Sequence, residues 1–167
     1  KIRIEKARAN FNKMRKVLCT RDLKLELRVR LARCYVFSTL FYGMEAWTLN
    51  AASMKKLESF ELWVYRRILK IWSTEHVTNK EVLRKMNKEM EILNTIKTRK
   101  LEYLGHITRG KRYSFLQLIM QGKIQGKRSI GNLREWYGCT SNELFRAAVS
   151  KIRIATMIAD LRRGDGT

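Results

Sequence analysis

Side chains that commonly perform catalysis are few and scattered in this chain. Two-metal phosphoryl transfer needs carboxylates that converge on Mg²⁺, and the only aspartates are Asp22, Asp160 and Asp165. Asp22 is predicted to cap a helix, while the other two lie near the end of the sequence, where helices fray. The glutamates are mostly spaced to pair with Lys or Arg on helix faces. We therefore expect no catalytic carboxylate site.

Histidines and cysteines do not suggest a metal centre. His76, His106, Cys19, Cys34 and Cys139 are all more than ten residues apart, whereas structural zinc ligands usually come in close pairs. No Gly-x-Gly-x-x-Gly or Walker-type loop is present, so we expect no metal and no cofactor. Three widely spaced cysteines indicate reduced thiols and an intracellular protein, and the Cys34 thiol is expected on a core-facing helix surface.

Charge dominates the composition. The 167 residues include 36 Lys and Arg against 15 Asp and Glu, which gives a net charge of +21 at pH 7. Such an excess favours a polyphosphate partner, although a solvated lysine-rich surface is the alternative. The longest apolar run, Cys34–Met44, is interrupted by polar residues and is shorter than the ~18–20 residues that span a bilayer. We expect nucleic acid, and no membrane, as the partner.

The cations form three groups. The segment Lys97–Arg128 contains nine Lys and Arg against Glu102 alone, with Tyr103, His106 and Tyr113 interleaved. The first helix has a second basic face, and Arg66, Arg67 and Lys70 form a third beside two tryptophans. Cations neutralise phosphates and aromatic rings stack unpaired bases, but solvated charges and core aromatics remain the alternative. The residues predicted to contact nucleic acid are Lys6, Lys13, Arg15, Lys16, Arg66, Arg67, Arg99, Lys100, Arg109, Lys111, Arg112, Tyr113, Lys123, Lys127 and Arg128.

Of these aromatic side chains, Tyr113 is the predicted platform for a base. The tryptophans of the third group, Trp63 and Trp72, are expected in the core.

Helical periodicity positions these groups. Apolar residues recur at steps of three and four, and the chain has no proline. The predicted helices are Ile4–Leu18, Asp22–Tyr42, one after Asn50, one from the Thr78–Glu81 capping box to Met86, Glu91–Arg109, Ser114–Gln121, and one from the Thr140–Glu143 capping box to Leu161. The fold class is all-α, a bundle of about six or seven helices with a basic, Gly-containing loop (Gly122–Gly138) before the last helix. Two regions are expected, 1–75 and 76–167.

Several short strings together resemble one protein family. Tyr42–Leu49 follows the pattern Tyr-Gly-x-Glu-x-Trp-x-Leu, and the strings Phe60-Glu61, Tyr65–Leu69, Val77–Leu83, Arg99–His106 and Gly122–Arg128 come after it. Their order and spacing resemble the C-terminal part of non-LTR retrotransposon endonuclease–reverse transcriptases of the jockey and RTE type. Almost the whole chain is covered.

The resemblance implies a piece that follows the catalytic palm. Residues 1–75 would be thumb-like helices that grip primer–template, and residues 76–167 a basic region holding template RNA, RNA–DNA hybrid or target DNA. The partners would include the missing palm and fingers, and the location would be the nucleus. The palm's Tyr-x-Asp-Asp and the endonuclease are absent, so the isolated chain is expected not to be an enzyme.

One departure from the family pattern leaves other readings open. Ser129-Ile130-Gly131 passes directly to Asn132, without the Gly/Arg-rich run of family members. The alternatives are therefore a domesticated stand-alone nucleic-acid-binding module or the non-functional product of a decayed element.

Overall fold

A computed structural model describes residues 2–121, 123 and 131–163, and every regular element in these residues is helical. The all-α prediction is confirmed, but over these ranges the chain forms more helices than the six or seven expected. The α-helices are α1 (Ile2–Lys13), α2 (Arg15–Leu18), α3 (Leu25–Ala32), α4 (Ser38–Phe41), α5 (Ala51–Leu69), α6 (Asn79–Met86), α7 (Ile92–Arg109), α8 (Ser114–Gln121), α9 (Gly131–Tyr137), α10 (Ser141–Val149) and α11 (Lys151–Arg163). A π-helical turn covers Arg33–Phe37, and 3₁₀ turns cover Met44–Ala46, Ser73–Glu75 and Lys111–Tyr113.

The second predicted helix begins later than expected and turns a different face to the core. Asp22 caps no helix, because it lies in a bend and accepts a 2.6 Å hydrogen bond from the Thr20 hydroxyl, while α3 begins at Leu25. A π-helical turn continues α3 at Arg33–Phe37. Val29, Ala32 and Val36 are buried on one helix face, whereas Cys34 and Tyr35 are exposed, so the expectation of a core-facing Cys34 is wrong.

The chain divides into two compact units. Unit 1 comprises Lys1–Gly43 and Asn50–Leu93, and unit 2 comprises Met44–Leu49 and Asn94–Thr167. The boundary predicted after residue 75 therefore falls inside unit 1. Gly43 ends the first segment of unit 1 with φ of +69°, a backbone conformation that glycine adopts without steric penalty.

Helix α5 is the central element of unit 1. Asn50 caps it by accepting a 2.8 Å hydrogen bond from the Ser53 amide, and the helix starts after Asn50 as predicted. Its buried carboxylate, Glu61, accepts hydrogen bonds from the amides of Glu91 (2.7 Å) and Ile92 (3.0 Å), which lie at the start of α7. The Tyr65 hydroxyl donates a third, at 2.9 Å. Burial nevertheless raises the pKa of Glu61, because desolvation outweighs these donors.

Unit 2 is organised around α7 and includes the short segment Met44–Leu49. The Asn132 side chain accepts from the Leu49 amide (2.9 Å) and donates to the Leu49 carbonyl. Asn132 belongs to α9, so part of the predicted Gly122–Gly138 loop is helical instead. Gly105 allows α7 and α11 to approach closely, because a Cβ at this position would overlap Ile154 Cδ1.

The two predicted capping boxes have different outcomes. Thr140 and Glu143 form one: the Glu143 carboxylate accepts from the Thr140 amide at 2.7 Å and the Thr140 hydroxyl accepts from the Glu143 amide at 3.3 Å. At α6 the Thr78 hydroxyl accepts from the Glu81 amide, but the Glu81 carboxylate pairs with Arg84 instead. The last predicted helix is interrupted at Ser150, which gives α10 and α11. Across the described ranges, no helix combines the length and the apolar character needed to cross a membrane.

Candidate nucleic-acid interface

A groove in unit 1 gathers basic side chains from two distant parts of the sequence. It is lined by the end of α1, by α2 and by the end of α5 with the turn that follows it, and its volume is about 1210 Å³. We call it the basic groove; its described lining residues are Asn12, Arg15, Lys16, Cys19, Thr20, Trp63, Arg66, Arg67, Lys70, Ile71, Trp72, His76 and Val77. Five of them are Lys or Arg and none is Asp or Glu.

The end of α5 positions one wall of the basic groove. The Lys70 amide donates to the Arg67 carbonyl at 3.2 Å and the Ile71 amide to the Arg66 carbonyl at 2.9 Å. This Schellman arrangement places Lys70 in the left-handed region, at φ of +59°. The Arg66 guanidinium donates to the Val77 carbonyl at 2.7 Å, and so fixes the returning chain.

Trp63 holds a second cation in place. Its ring stacks on Phe60 with centroids 5.9 Å apart and an interplanar angle of 18°, and Phe11 meets it edge-on at 5.0 Å. The guanidinium carbons of Arg8 and Arg67 lie 5.1 and 5.3 Å from the Trp63 centroid. These cation–π contacts restrain Arg67 before any ligand binds.

Trp72 differs from Trp63. We expected both tryptophans in the core, and for Trp72 that prediction is wrong, because the residue is 60% exposed at the edge of the basic groove. It directly follows the turn that ends α5.

The Cys19 thiol lies among the same cations. Desolvation by burial raises its pKa, although Arg15 and Lys70 oppose that shift electrostatically. The Cys19 thiol donates a hydrogen bond to the Arg67 carbonyl at 3.3 Å. The basic groove therefore presents positive charge and hydrogen-bond donors, while burial of Cys19 disfavours its thiolate form.

The structure joins two of the predicted basic groups and leaves other residues apart. Arg15 and Lys16 of the second group share the basic groove with Arg66 and Arg67 of the third. Lys6 and Lys13 are exposed on α1 and are not among its described lining residues.

The predicted residues of unit 2 cluster around the end of α7. Arg109, Lys111 and Arg112 are exposed, and one Arg109 nitrogen donates to the Ala148 carbonyl at 2.9 Å. The Tyr113 hydroxyl lies 3.2 Å from His106 Nε2, and the Arg112 guanidinium carbon lies 4.9 Å from the Tyr113 ring centroid. A base that stacks on Tyr113 would thus compete with Arg112.

Lys100 is not available at the surface. It is only 3% exposed, and its ammonium donates to the Trp47 carbonyl inside unit 2. Burial lowers its pKa, because desolvation disfavours the charged form. This corrects the prediction that Lys100 contacts nucleic acid.

The remaining predicted residues are Arg99 in α7 and three residues after α8. Arg99 and Lys123 are exposed, while Lys127 and Arg128 lie outside the described residues. Within the ranges 2–121, 123 and 131–163, no group of three or more His, Cys, Asp or Glu is arranged to hold a metal ion.

Comparison with known proteins relates the chain to a mobile element. No family model matches it, and no solved structure gives a significant match. It is 35% identical over 89 residues to an uncharacterized transposon-derived protein of Caenorhabditis elegans. That match covers 52% of this chain and 32% of the relative, so the chain spans about a third of the relative's length. This similarity supports a transposon origin.

Proposed function

We propose that this chain is the part of a non-LTR retrotransposon reverse transcriptase that follows the palm, and that its basic groove binds primer–template, template RNA or target DNA through phosphates. The motif strings at Tyr42–Leu49 and after it support the family assignment, and the similarity to a transposon-derived protein is consistent with it. On this proposal the chain binds nucleic acid for the parent polymerase and does not catalyse nucleotide addition.

One observation carries the binding proposal: five cations from separated helices line one groove whose described walls have no carboxylate. Like charges repel at close range, so five neighbouring cations create a positive potential in the groove. A bound anion would neutralise this potential and reduce the repulsion. A phosphodiester strand supplies repeated negative charges, and each neutralised phosphate releases condensed counterions. The Schellman turn at Lys70 and the Trp63 contact with Arg67 fix two of the cations in advance.

The proposal is tested by measuring the affinity of the full chain for single-stranded RNA, duplex DNA and an RNA–DNA hybrid over a salt series. We expect log K to fall linearly with log[salt], each neutralised phosphate contributing about −0.7 to −0.9 to the slope. A triple variant, Arg15→Gln/Lys16→Gln/Lys70→Gln, should make that slope shallower by about 2–2.7.

A matched control separates the basic groove from net charge. Lys55, Lys56 and Lys85 are exposed in unit 1 and do not line the basic groove. Their triple replacement by Gln removes the same charge and should change the slope much less. Equal losses for the two triple variants would show that net charge alone drives binding, and the groove assignment would be abandoned.

Two further measurements address the rest of the proposal. The isolated chain should neither extend a primer nor cut DNA with Mg²⁺ or Mn²⁺, because polymerase chemistry needs paired carboxylates at the metals; metal-dependent incorporation by clean protein would contradict this. Lys111→Gln/Arg112→Gln should weaken binding by a similar factor for unrelated sequences if unit 2 also touches phosphates. Unchanged affinity for this double variant would confine the footprint to unit 1.

A further inference from the structure

Trp72 presents a large apolar surface at a position surrounded by charge. An indole that is 60% exposed forgoes much of the hydrophobic stabilisation that its burial would provide. The basic groove that it borders contains Arg66 and Lys70. An exposed ring beside fixed cations is the arrangement that binds unpaired bases and their phosphates together.

The backbone at Trp72 is held rather than loose. The Trp72 amide donates to the Glu75 carboxylate at 3.0 Å, and the Glu75 amide donates to the Trp72 carbonyl at 3.1 Å. Glu75 is the nearby acid, and one of its carboxylate oxygens is engaged by this turn. The turn follows the Schellman arrangement at Lys70 and Ile71 immediately, so the indole extends from an ordered corner.

Trp63 cannot serve the same purpose. One face of its ring lies on Phe60, and Arg8 and Arg67 occupy positions over the ring. A base would have to displace a guanidinium to stack there. The two tryptophans of the basic groove thus have different roles: Trp63 restrains the Arg67 guanidinium, and Trp72 has an accessible ring.

We propose that the basic groove selects an unpaired polynucleotide strand, with a base stacked on Trp72 and its flanking phosphates held by Arg15, Lys16 and Lys70. This inference rests on the proposed phosphate-binding function and adds a substrate class to it. In a duplex the base faces are covered by their neighbours, so stacking on a protein ring requires an unpaired base. Stacking is tolerant of base identity, and RNA and DNA single strands share the necessary chemistry.

The test compares the full chain with Trp72→Ala and Trp72→Phe on oligonucleotides of equal length: oligo(rU), oligo(dT) and a DNA duplex. Trp72→Ala should weaken single-strand binding by about fivefold to 150-fold, the equivalent of one stacked base. Its effect on the duplex should be less than about twofold, and Trp72→Phe should restore most single-strand affinity because it keeps an aromatic face.

Tyr35→Ala is the matched control, because Tyr35 is an exposed aromatic residue (54%) of unit 1 that does not line the basic groove. It should leave both affinities unchanged. Fluorescence supplies a second readout: oligo(dT) should quench the emission of the parent chain more than that of Trp72→Phe. The oligo(rU) and oligo(dT) arms distinguish RNA from DNA as the source of the strand.

The outcomes separate this inference from the proposed function. If Trp72→Ala weakens single-strand and duplex binding equally or not at all, while Arg15→Gln/Lys16→Gln/Lys70→Gln weakens both, phosphate binding stands and the stacking inference is overturned. If the parent chain binds no oligonucleotide, the proposed function itself fails. If poly-glutamate binds as tightly as oligo(dT) at equal salt, the groove recognises negative charge alone, and the selection of an unpaired strand is overturned.

Discussion

Lys70 occupies a strained backbone position, and its replacement by glycine should raise stability while it weakens nucleic-acid binding. The residue closes the Schellman turn of α5 at φ of +59°. A side chain with a Cβ costs about 1–2 kcal/mol in the left-handed region, and glycine avoids this penalty. Glycine offsets part of the gain, about 0.5–1 kcal/mol, because its unfolded chain is more flexible.

The net gain for Lys70→Gly is therefore about 0.5–1 kcal/mol in the free energy of unfolding, or roughly 1–4 °C in Tm for a chain of this size. The same change removes one cation from the basic groove. The salt slope should become shallower by about 0.7–0.9. If the parent and the variant bind equally at 1 M salt, the variant should therefore bind about five- to eightfold more weakly than the parent at 0.1 M salt.

Two variants distinguish strain from charge. Lys70→Asn keeps a residue that tolerates the left-handed region and removes the charge, so it should lose the same affinity with a smaller gain in stability. Asn87 closes α6 with the same hydrogen-bond pattern, at φ of +49°. Asn87→Gly therefore alters a comparable turn without changing charge and should leave affinity unchanged.

The assays are denaturant unfolding followed by circular dichroism and a salt series of oligonucleotide affinities. Lower stability for Lys70→Gly would show that the lysine is not strained, and the structural reasoning would be refuted. Equal affinity for the parent and Lys70→Gly would remove Lys70 from the binding surface. A joint outcome of higher stability and weaker binding would mean that the strain is retained at a functional position.

Three other changes test the interior. Glu61→Gln should lower the free energy of unfolding at pH 7 by about 1–3 kcal/mol, because the Gln amide has a single acceptor oxygen and cannot accept from both Glu91 and Ile92. The raised pKa of Glu61 also means that protonation of Glu61 favours the folded state: this proton-linked stabilisation is full below the ordinary value of 4.5 and is lost as pH rises through the folded-state pKa, while the carboxylate keeps its hydrogen bonds at pH 7; a stability–pH profile that Glu61→Gln leaves unchanged would contradict this. Gly105→Ala should change the stability of unit 2 by less than about 1 kcal/mol in thermal unfolding, because the added Cβ meets the flexible ends of Ile154 and Arg109 and alanine favours a helix by about 0.5–1 kcal/mol over glycine; a larger loss would show that the Ile154 side chain cannot move aside. Lys100→Met should leave the salt slope unchanged, because the ammonium is bonded to Trp47; a shallower slope would return Lys100 to the interface.

Some of the helix-capping hydrogen bonds could be predicted from the sequence. The box at Thr140 and Glu143 was predicted from residue types three apart, but the same types and spacing at Thr78 and Glu81 give only half a box, because the Glu81 carboxylate pairs with Arg84. The exposure of Cys34 could have been predicted from helical periodicity, because Val29, Ala32 and Val36 share one buried face and Cys34 lies about 140° from Val29 around the helix.

The candidate site was only half predictable from the sequence. Basic residues near Arg15 and near Arg67 are evident as composition, but their meeting depends on how α1, α2 and α5 pack. The burial of Lys100 depends on a carbonyl 53 positions away. Trp72 could have been suspected from its place just after a helix end, where chains turn at the surface.

The pairing of Asn132 with Leu49 constrains the order in which the protein can fold. Leu49 is made 83 residues before its partner, a delay of about 4–17 s at cellular synthesis rates of roughly 5–20 residues per second. During this interval the Leu49 amide and carbonyl lack their final partner, and Met44–Leu49 already separates the two segments of unit 1. A ribosomal product that ends before Asn132 would hold this segment without the Asn132 hydrogen bonds, although the Lys100 ammonium could still donate to the Trp47 carbonyl, so incomplete chains should be cut there faster than the finished protein.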